Sequence, residues 1–252
     1  MVDRQNIITA KGMDELAKNA AMMVFSEIIK VLKEKDYAVV ALPGGRSVKE
    51  LYSKFKDMYF DYWNKVHIFL VDDRMVEMDS SESNSKMIKE SFAQKLIDEG
   101  KLHLGNVHYF SASGKGSEAV KDYNNEFKRF GGKFDIVVLG AGEDGHVAAL
   151  FPNHHSIMNE SNNYFSFDDS PKMPASRMTS SRKMIINSGM AMLFFIGAGK
   201  KTAMNMYLDE NIDFEDLPAR LADYAGKTFM LADMEVEENI VNKENKSEIE
   251  NK

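Results

Sequence analysis

The chain is predicted to adopt an α/β fold: a single-domain, mainly parallel, Rossmann-like open sheet with helices on both faces. Three observations carry this. Short apolar runs rich in Val, Ile, Leu and Phe alternate from end to end with segments of helical period. Four of those runs pass directly into glycine-rich or charged turns, as parallel strands do at their carboxyl ends. No internal repeat and no Pro- or Ser-rich linker divides the 252 residues, so residues 1–234 read as one domain.

The elements follow in order. Asn6 to Thr9 is the first strand, and Leu16, Ala20, Met23, Val24, Ile28 and Leu32 mark one face of a long helix. Ala38 to Leu42 is a continuous apolar run, hence a strand buried on both faces. It leads through Pro43-Gly44-Gly45-Arg46-Ser47 into a helix whose apolar face is Val48, Leu51, Tyr52 and Phe55. Val66 to Val71 is the next strand, and Asp72-Asp73-Arg74 after it is expected to form a charged turn. Val107 to Phe110 and Phe134 to Leu139 are further strands. Asn153 to Ser188, rich in Asn, Ser, Asp and Pro, is expected to be an irregular surface excursion of the kind that covers active sites. Ala191 to Ile196 precedes Gly197-Ala198-Gly199-Lys200 and a helix from Lys201 to Leu208, and Thr228 to Leu231 is the last strand. Residues 235–252 are highly charged with few apolar positions and are expected to fray or stay disordered.

Composition narrows the chemistry. A formal net charge of -7 opposes a nucleic-acid or anionic-membrane surface as the main partner, since both require a basic field. A local group of Arg and Lys can still capture a small anion. With Cys 0, disulfides, thiolate nucleophiles and cysteine metal sites are excluded, so His, carboxylates, Lys and Arg must supply any reaction. No apolar run approaches the length of a membrane span, and a cytoplasmic location is expected.

The turns hold the reactive residue types. Gly44 and Gly45 permit close backbone approach to an anion at a helix start, although an ordinary strand-to-helix turn looks the same. Gly140-Ala141-Gly142-Glu143-Asp144-Gly145-His146 formally matches Gly-x-Gly-x-x-Gly. Pro152 follows too soon for the helix that a dinucleotide site needs, so that reading is rejected. The turn instead offers an acid and a histidine, Asp144 and His146. Lys200 sits at a helix start beside glycines and suits a phosphate, but Phe194 stands where a P-loop begins with Gly. In a parallel sheet these ends share one edge. Backbone donors, Arg and Lys on one side and His with carboxylates on the other describe a pocket for a small phosphorylated substrate and acid–base chemistry. His67, His103, His108, His154 and His155 show no spacing with carboxylates that suggests a metal site. The adjacent pair His154 and His155 reads as loop surface.

Asp144-Gly145-His146 with Phe151-Pro152 resembles the signature of the 6-phosphogluconolactonase and glucosamine-6-phosphate deaminase superfamily. The lactonase branch is the nearer one, because the Asn-Glu-Pro of deaminases is missing. Asp72-Asp73-Arg74 is similar to the lactonase Asp-Glu-Arg, where deaminases carry an aromatic residue at the Arg74 position. Ser83-Asn84, the stretch from Ser170 to Thr179, and Gly197 to Lys200 extend the likeness over nearly the whole chain except its tail. The first loop departs: Pro43, Arg46 and Val48 stand in the neighbourhood where the family usually has Ser-Gly-Gly-Ser followed by Thr or Pro. After Thr179, Ser180-Ser181-Arg182-Lys183 replaces the usual Leu-Thr-Leu-Pro.

The resemblance implies hydrolysis of 6-phospho-D-glucono-1,5-lactone to 6-phosphogluconate, a step of the oxidative pentose phosphate pathway, with no cofactor and no metal. His146 is then the general base, since a histidine exchanges protons near neutral pH. Asp144 orients it or caps a short helix beginning at His146. Arg74 serves the oxyanion or the sugar hydroxyls, and Asp72 holds hydroxyls or a neighbouring cation. Arg177 and Lys200, with Gly44, Gly45, Arg46 and Ser47, hold the phosphate. Two alternatives stay open: deamination and isomerisation of glucosamine 6-phosphate, and a non-catalytic sugar-phosphate-binding protein.

Overall fold

A computed structural model describes residues 6–10 and 12–236; most of the charged tail, from 237 on, lies outside the described residues. Six strands form one sheet in the order β1-β9-β8-β5-β2-β3, and every neighbouring pair is parallel. They are β1 (Ile7–Thr9), β2 (Ala38–Leu42), β3 (Val66–Leu70), β5 (Ile136–Gly140), β8 (Met190–Phe195) and β9 (Thr228–Ala232). The mainly parallel sheet of the sequence reading is therefore observed. Every residue of β2 and β8 is buried, as a sheet covered on both faces requires.

The helices are α1 (Met13–Val31), α2 (Lys49–Asp57), α3 (Asn84–Ile88), α4 (Gln94–Asp98), α5 (Ser117–Arg129), α6 (Arg182–Ile186) and α7 (Lys201–Tyr207). The buried face of α1 comprises Leu16, Ala17, Ala20, Ala21, Val24, Phe25 and Ile28, close to the predicted stripe. Asp14 and Glu15 in its first turn and Lys30 in its last complement the helix dipole. Phe25, Phe55, Phe60, Trp63 and Phe92 interlock beside α2, and each such buried side chain stabilises the fold by about 1.5–3 kcal/mol.

Three sequence expectations are corrected. Val107 to Phe110 is not a strand: only Val107 bridges to Ile68, and His108 N–H donates to the Ile68 carbonyl at 2.9 Å. The Ser85 hydroxyl then accepts from Phe110 N–H and donates to its carbonyl, doing what a neighbouring strand would do. Asp72-Asp73-Arg74 is not a turn but β4 (Asp72–Arg74). It pairs antiparallel with β7 (Arg177–Ser180), which pairs with β6 (Tyr164–Phe167). The stretch from Asn153 to Ser188 is thus partly regular, and β7 is buried throughout. Its buried residues include Arg, Thr and Ser, so no apolar alternation announces it.

The chain runs from β2 to β3 toward one edge, then returns to place β5 on the other side of β2. The strand order reverses between β2 and β5, and a crevice opens there beyond their carboxyl ends.

Candidate active site

A cavity of about 600 Å³ occupies this crevice. Its walls come from the turns after β2, β5 and β8, from β4, and from the connection between β6 and β7. Gly44, Gly45, Arg46, Ser47, Asp72, Arg74, His146, Arg177 and Lys200, all predicted from sequence, line it together. Asp144 does not line the cavity but stands behind His146 and holds it.

The His146 imidazole is set by the turn after β5. Its Nδ1 lies 2.5 Å from Asp144 Oδ1, and its backbone N–H donates to the same oxygen at 3.4 Å. No helix begins at His146, so the expected helix cap is replaced by a tight turn in which Gly142 N–H donates to the His146 carbonyl at 2.8 Å. A Cβ on Gly142 would fall 2.0 Å from His146 Nδ1 and 2.4 Å from Asp144 Oδ1, so only glycine lets the pair lie across the backbone. With Nδ1–H donating to Asp144, Nε2 keeps its lone pair. Phe151 packs against the ring with centroids 4.9 Å apart.

Lys172 completes this corner, and sequence reasoning gave it no role. Its Nζ is 3.0 Å from Asp144 Oδ1 and 3.2 Å from His146 Nδ1. Burial by itself would raise the Asp144 carboxyl. Hydrogen bonding and charge from His146, then from Lys172, outweigh it and hold Asp144 well below the ordinary carboxylate range. The available signal was a lysine fixed between Pro171 and Pro174 in the stretch that resembles the family motif.

The two acids of β4 have different surroundings. Asp73 is 1% exposed and accepts backbone N–H groups from Arg74 at 2.8 Å, Asn84 at 2.7 Å and Ser85 at 3.0 Å. It ties β4 to the first turn of α3, and burial pushes its carboxyl up to about 6. Asp72 faces the cavity. Burial raises it too, opposed by the positive charge of Arg74 and Arg177 and by His146. Arg177 donates through Nη2 to the carbonyls of Lys172 at 3.1 Å and Met173 at 3.0 Å, and its buried Nε has no hydrogen-bond partner. The guanidinium therefore both braces the β6–β7 connection and faces the cavity. Arg74 is similar: Nη1 donates to the Glu82 carbonyl, while Nε is buried and unpaired.

The opposite wall is made of backbone and cations. Pro43 through Ser47 leaves β2, and the buried Tyr52 hydroxyl donates to the Pro43 carbonyl. A Cβ on Gly44 would lie 1.8 Å from Asn84 Oδ1. That same Asn84 side chain donates to the Asp72 carbonyl at 2.9 Å, so the turns after β2 and β3 are locked together. After β8, Gly197 N–H donates to both oxygens of Asp233 at 2.9 and 3.0 Å. This steers Lys200 into the cavity, where burial lowers the ammonium, Glu143 and Asp144 counter that, and Lys172 and Arg46 add to it. Arg46, Lys172, Arg177 and Lys200 thus surround one space that an anion would fill.

Outside the cavity, His154 and His155 are not plain loop surface. Both approach Asp169, which lies 14 residues beyond His155, a separation too long to read as a motif.

A family model described as glucosamine-6-phosphate isomerases/6-phosphogluconolactonase matches residues 11–230. A 6-phosphogluconolactonase from Borreliella burgdorferi is 32% identical over 199 residues, covering 78% of this chain and 84% of that protein. Another, from Thermotoga maritima, is 35% identical over 175 residues, covering 68% and 74%. The crystal structure of the 6-phosphogluconolactonase from Thermotoga maritima superposes with a TM-score of 0.76 at 28% identity, over 90% of this chain and 98% of that one. By sequence match and fold alike, this chain belongs to the glucosamine-6-phosphate isomerase/6-phosphogluconolactonase family.

Proposed function

We propose that the protein hydrolyses 6-phospho-D-glucono-1,5-lactone to 6-phosphogluconate, with His146 as general base. The observation that carries this is the shared cavity: an imidazole with a free Nε2 faces the same 600 Å³ space as Arg177 and Lys200. The names of the relatives point the same way.

In this reading Arg46, Arg177 and Lys200, with the backbone of Gly44, Gly45 and Ser47, hold the phosphate and fix the lactone ring between them and His146. Nε2 takes a proton from a water as its oxygen attacks the carbonyl carbon, and negative charge builds on the carbonyl oxygen. Arg74 is the cation assigned to that oxygen. When the tetrahedral centre collapses, the bond to the ring oxygen breaks and the imidazolium returns its proton there, which leaves the carboxylic acid and a free hydroxyl. Asp144 keeps the proton on Nδ1 and offsets the charge of the imidazolium. Asp72 accepts from sugar hydroxyls.

The test is the hydrolysis rate of freshly prepared phosphogluconolactone, corrected for spontaneous ring opening. An enzymatic excess is expected, with no ammonia released from glucosamine 6-phosphate. Ammonia release without lactone hydrolysis would reassign the chain to the other branch, and tight binding of 6-phosphogluconate with neither reaction would make it a non-catalytic binder.

A further inference from the structure

We propose that His154, His155 and Asp169 form a binding site for a divalent transition-metal ion, of zinc type, outside the catalytic cavity. None of the three lines that cavity. His155 Nε2 lies 2.8 Å from Asp169 Oδ1, and His154 Nε2 lies 3.5 Å from the same oxygen. One donor atom from each residue falls within 4.8 Å of the other two. A tetrahedral ion with bonds near 2.1 Å requires donors roughly 3.4 Å apart, and the two distances to the carboxylate bracket that value.

A surface ion pair between His155 and Asp169 would explain part of this arrangement, but it does not explain His154. That side chain is mostly buried, and its Nε2 has no hydrogen-bond partner although it is directed at the shared carboxylate. Its Nδ1 is 3.0 Å from the Ser156 hydroxyl, which also accepts from Phe151 N–H. The same Nδ1 also accepts from Ser156 N–H at 3.2 Å, so in the metal-free protein the ring proton sits on Nε2, and an ion bound there displaces it. Phe167, at the end of β6, packs against both imidazoles and fixes their planes. Two imidazoles and one carboxylate favour zinc, nickel or copper over magnesium or calcium and leave one position for water. Binding there ties the turn after Phe151 to the exit of β6, just before the segment that carries Lys172.

The experiment is titration of untagged, metal-stripped protein with Zn2+, by calorimetry, and with Co2+, by visible absorption. One equivalent of Zn2+ is expected to bind, and Co2+ is expected to give the intense visible bands of tetrahedral coordination. Mg2+ should give no binding. His155→Ala and Asp169→Ala alter exposed side chains and should each weaken Zn2+ binding by about tenfold or more, with metal-free thermal midpoints unchanged. His146→Ala should retain the full equivalent, which separates this site from the catalytic histidine. Absence of binding, binding that survives both ligand substitutions, or binding lost in His146→Ala would overturn the proposal.

Discussion

Replacing Gly142 with alanine tests the proposed catalytic corner without replacing any reactive side chain. The added Cβ would sit 2.0 Å from His146 Nδ1, 2.2 Å from its Cε1 and 2.4 Å from Asp144 Oδ1, all far inside van der Waals contact. Backbone conformation is not the obstacle, because Gly142 does not take a positive φ. The collision is with side chains, so the imidazole must rotate out of its seat and lose the 2.5 Å hydrogen bond to Asp144. The loss of a positioned base predicts a fall in kcat of about 10²- to 10⁴-fold. Folding should suffer little, since His146 and Asp144 are partly solvent-exposed and Asp144 keeps Lys172. Binding of 6-phosphogluconate should stay within about threefold, because the substitution replaces none of the groups proposed to hold the phosphate. The assay is steady-state lactone hydrolysis with product binding measured in parallel. A variant that keeps wild-type kcat, with an unshifted thermal midpoint, would refute the claim that this pairing sets the base.

Further outcomes are expected elsewhere. Lys200→Ala and Arg177→Ala should raise KM and weaken 6-phosphogluconate binding by about tenfold or more each, with a smaller effect on kcat; titration calorimetry and steady-state kinetics check this. Asp73→Ala leaves three backbone N–H groups without their acceptor and should destabilise the fold by about 2–4 kcal/mol in urea unfolding. Asp144 titrates lower in the folded than in the unfolded protein, so its stabilising contribution is full above the unfolded value near 4 and is lost as pH falls through the folded one. The stability difference between wild type and Asp144→Asn should therefore be constant above about pH 5 and shrink on acidification below about pH 4.

The legible parts of the chain were those whose burial is written in apolar residues. β2, β5 and β8 sit in the middle of a doubly covered sheet, so runs such as Ala38 to Leu42 have no polar interruption and can be read directly. Their carboxyl ends are fixed by topology, which is why four weak turn signals converge on one cavity. The antiparallel sheet of β4, β6 and β7 was not legible. Asp73, Thr179 and Ser180 are buried there: Asp73 and Thr179 accept from the backbone of Asn84 and Ala149, and Ser180 N–H donates to the Val71 carbonyl, partners that no side-chain pattern announces. Val107 to Phe110 failed for the converse reason: its apolar run is real, but Ser85 takes over the backbone bonds of Phe110. Lys172 and the His154–His155–Asp169 group depend on the path of the β6–β7 connection, which no local spacing encodes.

The most direct test of the central claim is the kinetics of His146→Gln beside wild type on the phosphorylated lactone. Glutamine keeps a polar group in the seat but cannot take the proton. The excess rate over spontaneous opening should drop by about 10²-fold or more while 6-phosphogluconate binds as before. An unchanged excess would show that another group activates the water, and a loss of product binding with normal turnover at saturation would move His146 to the phosphate side.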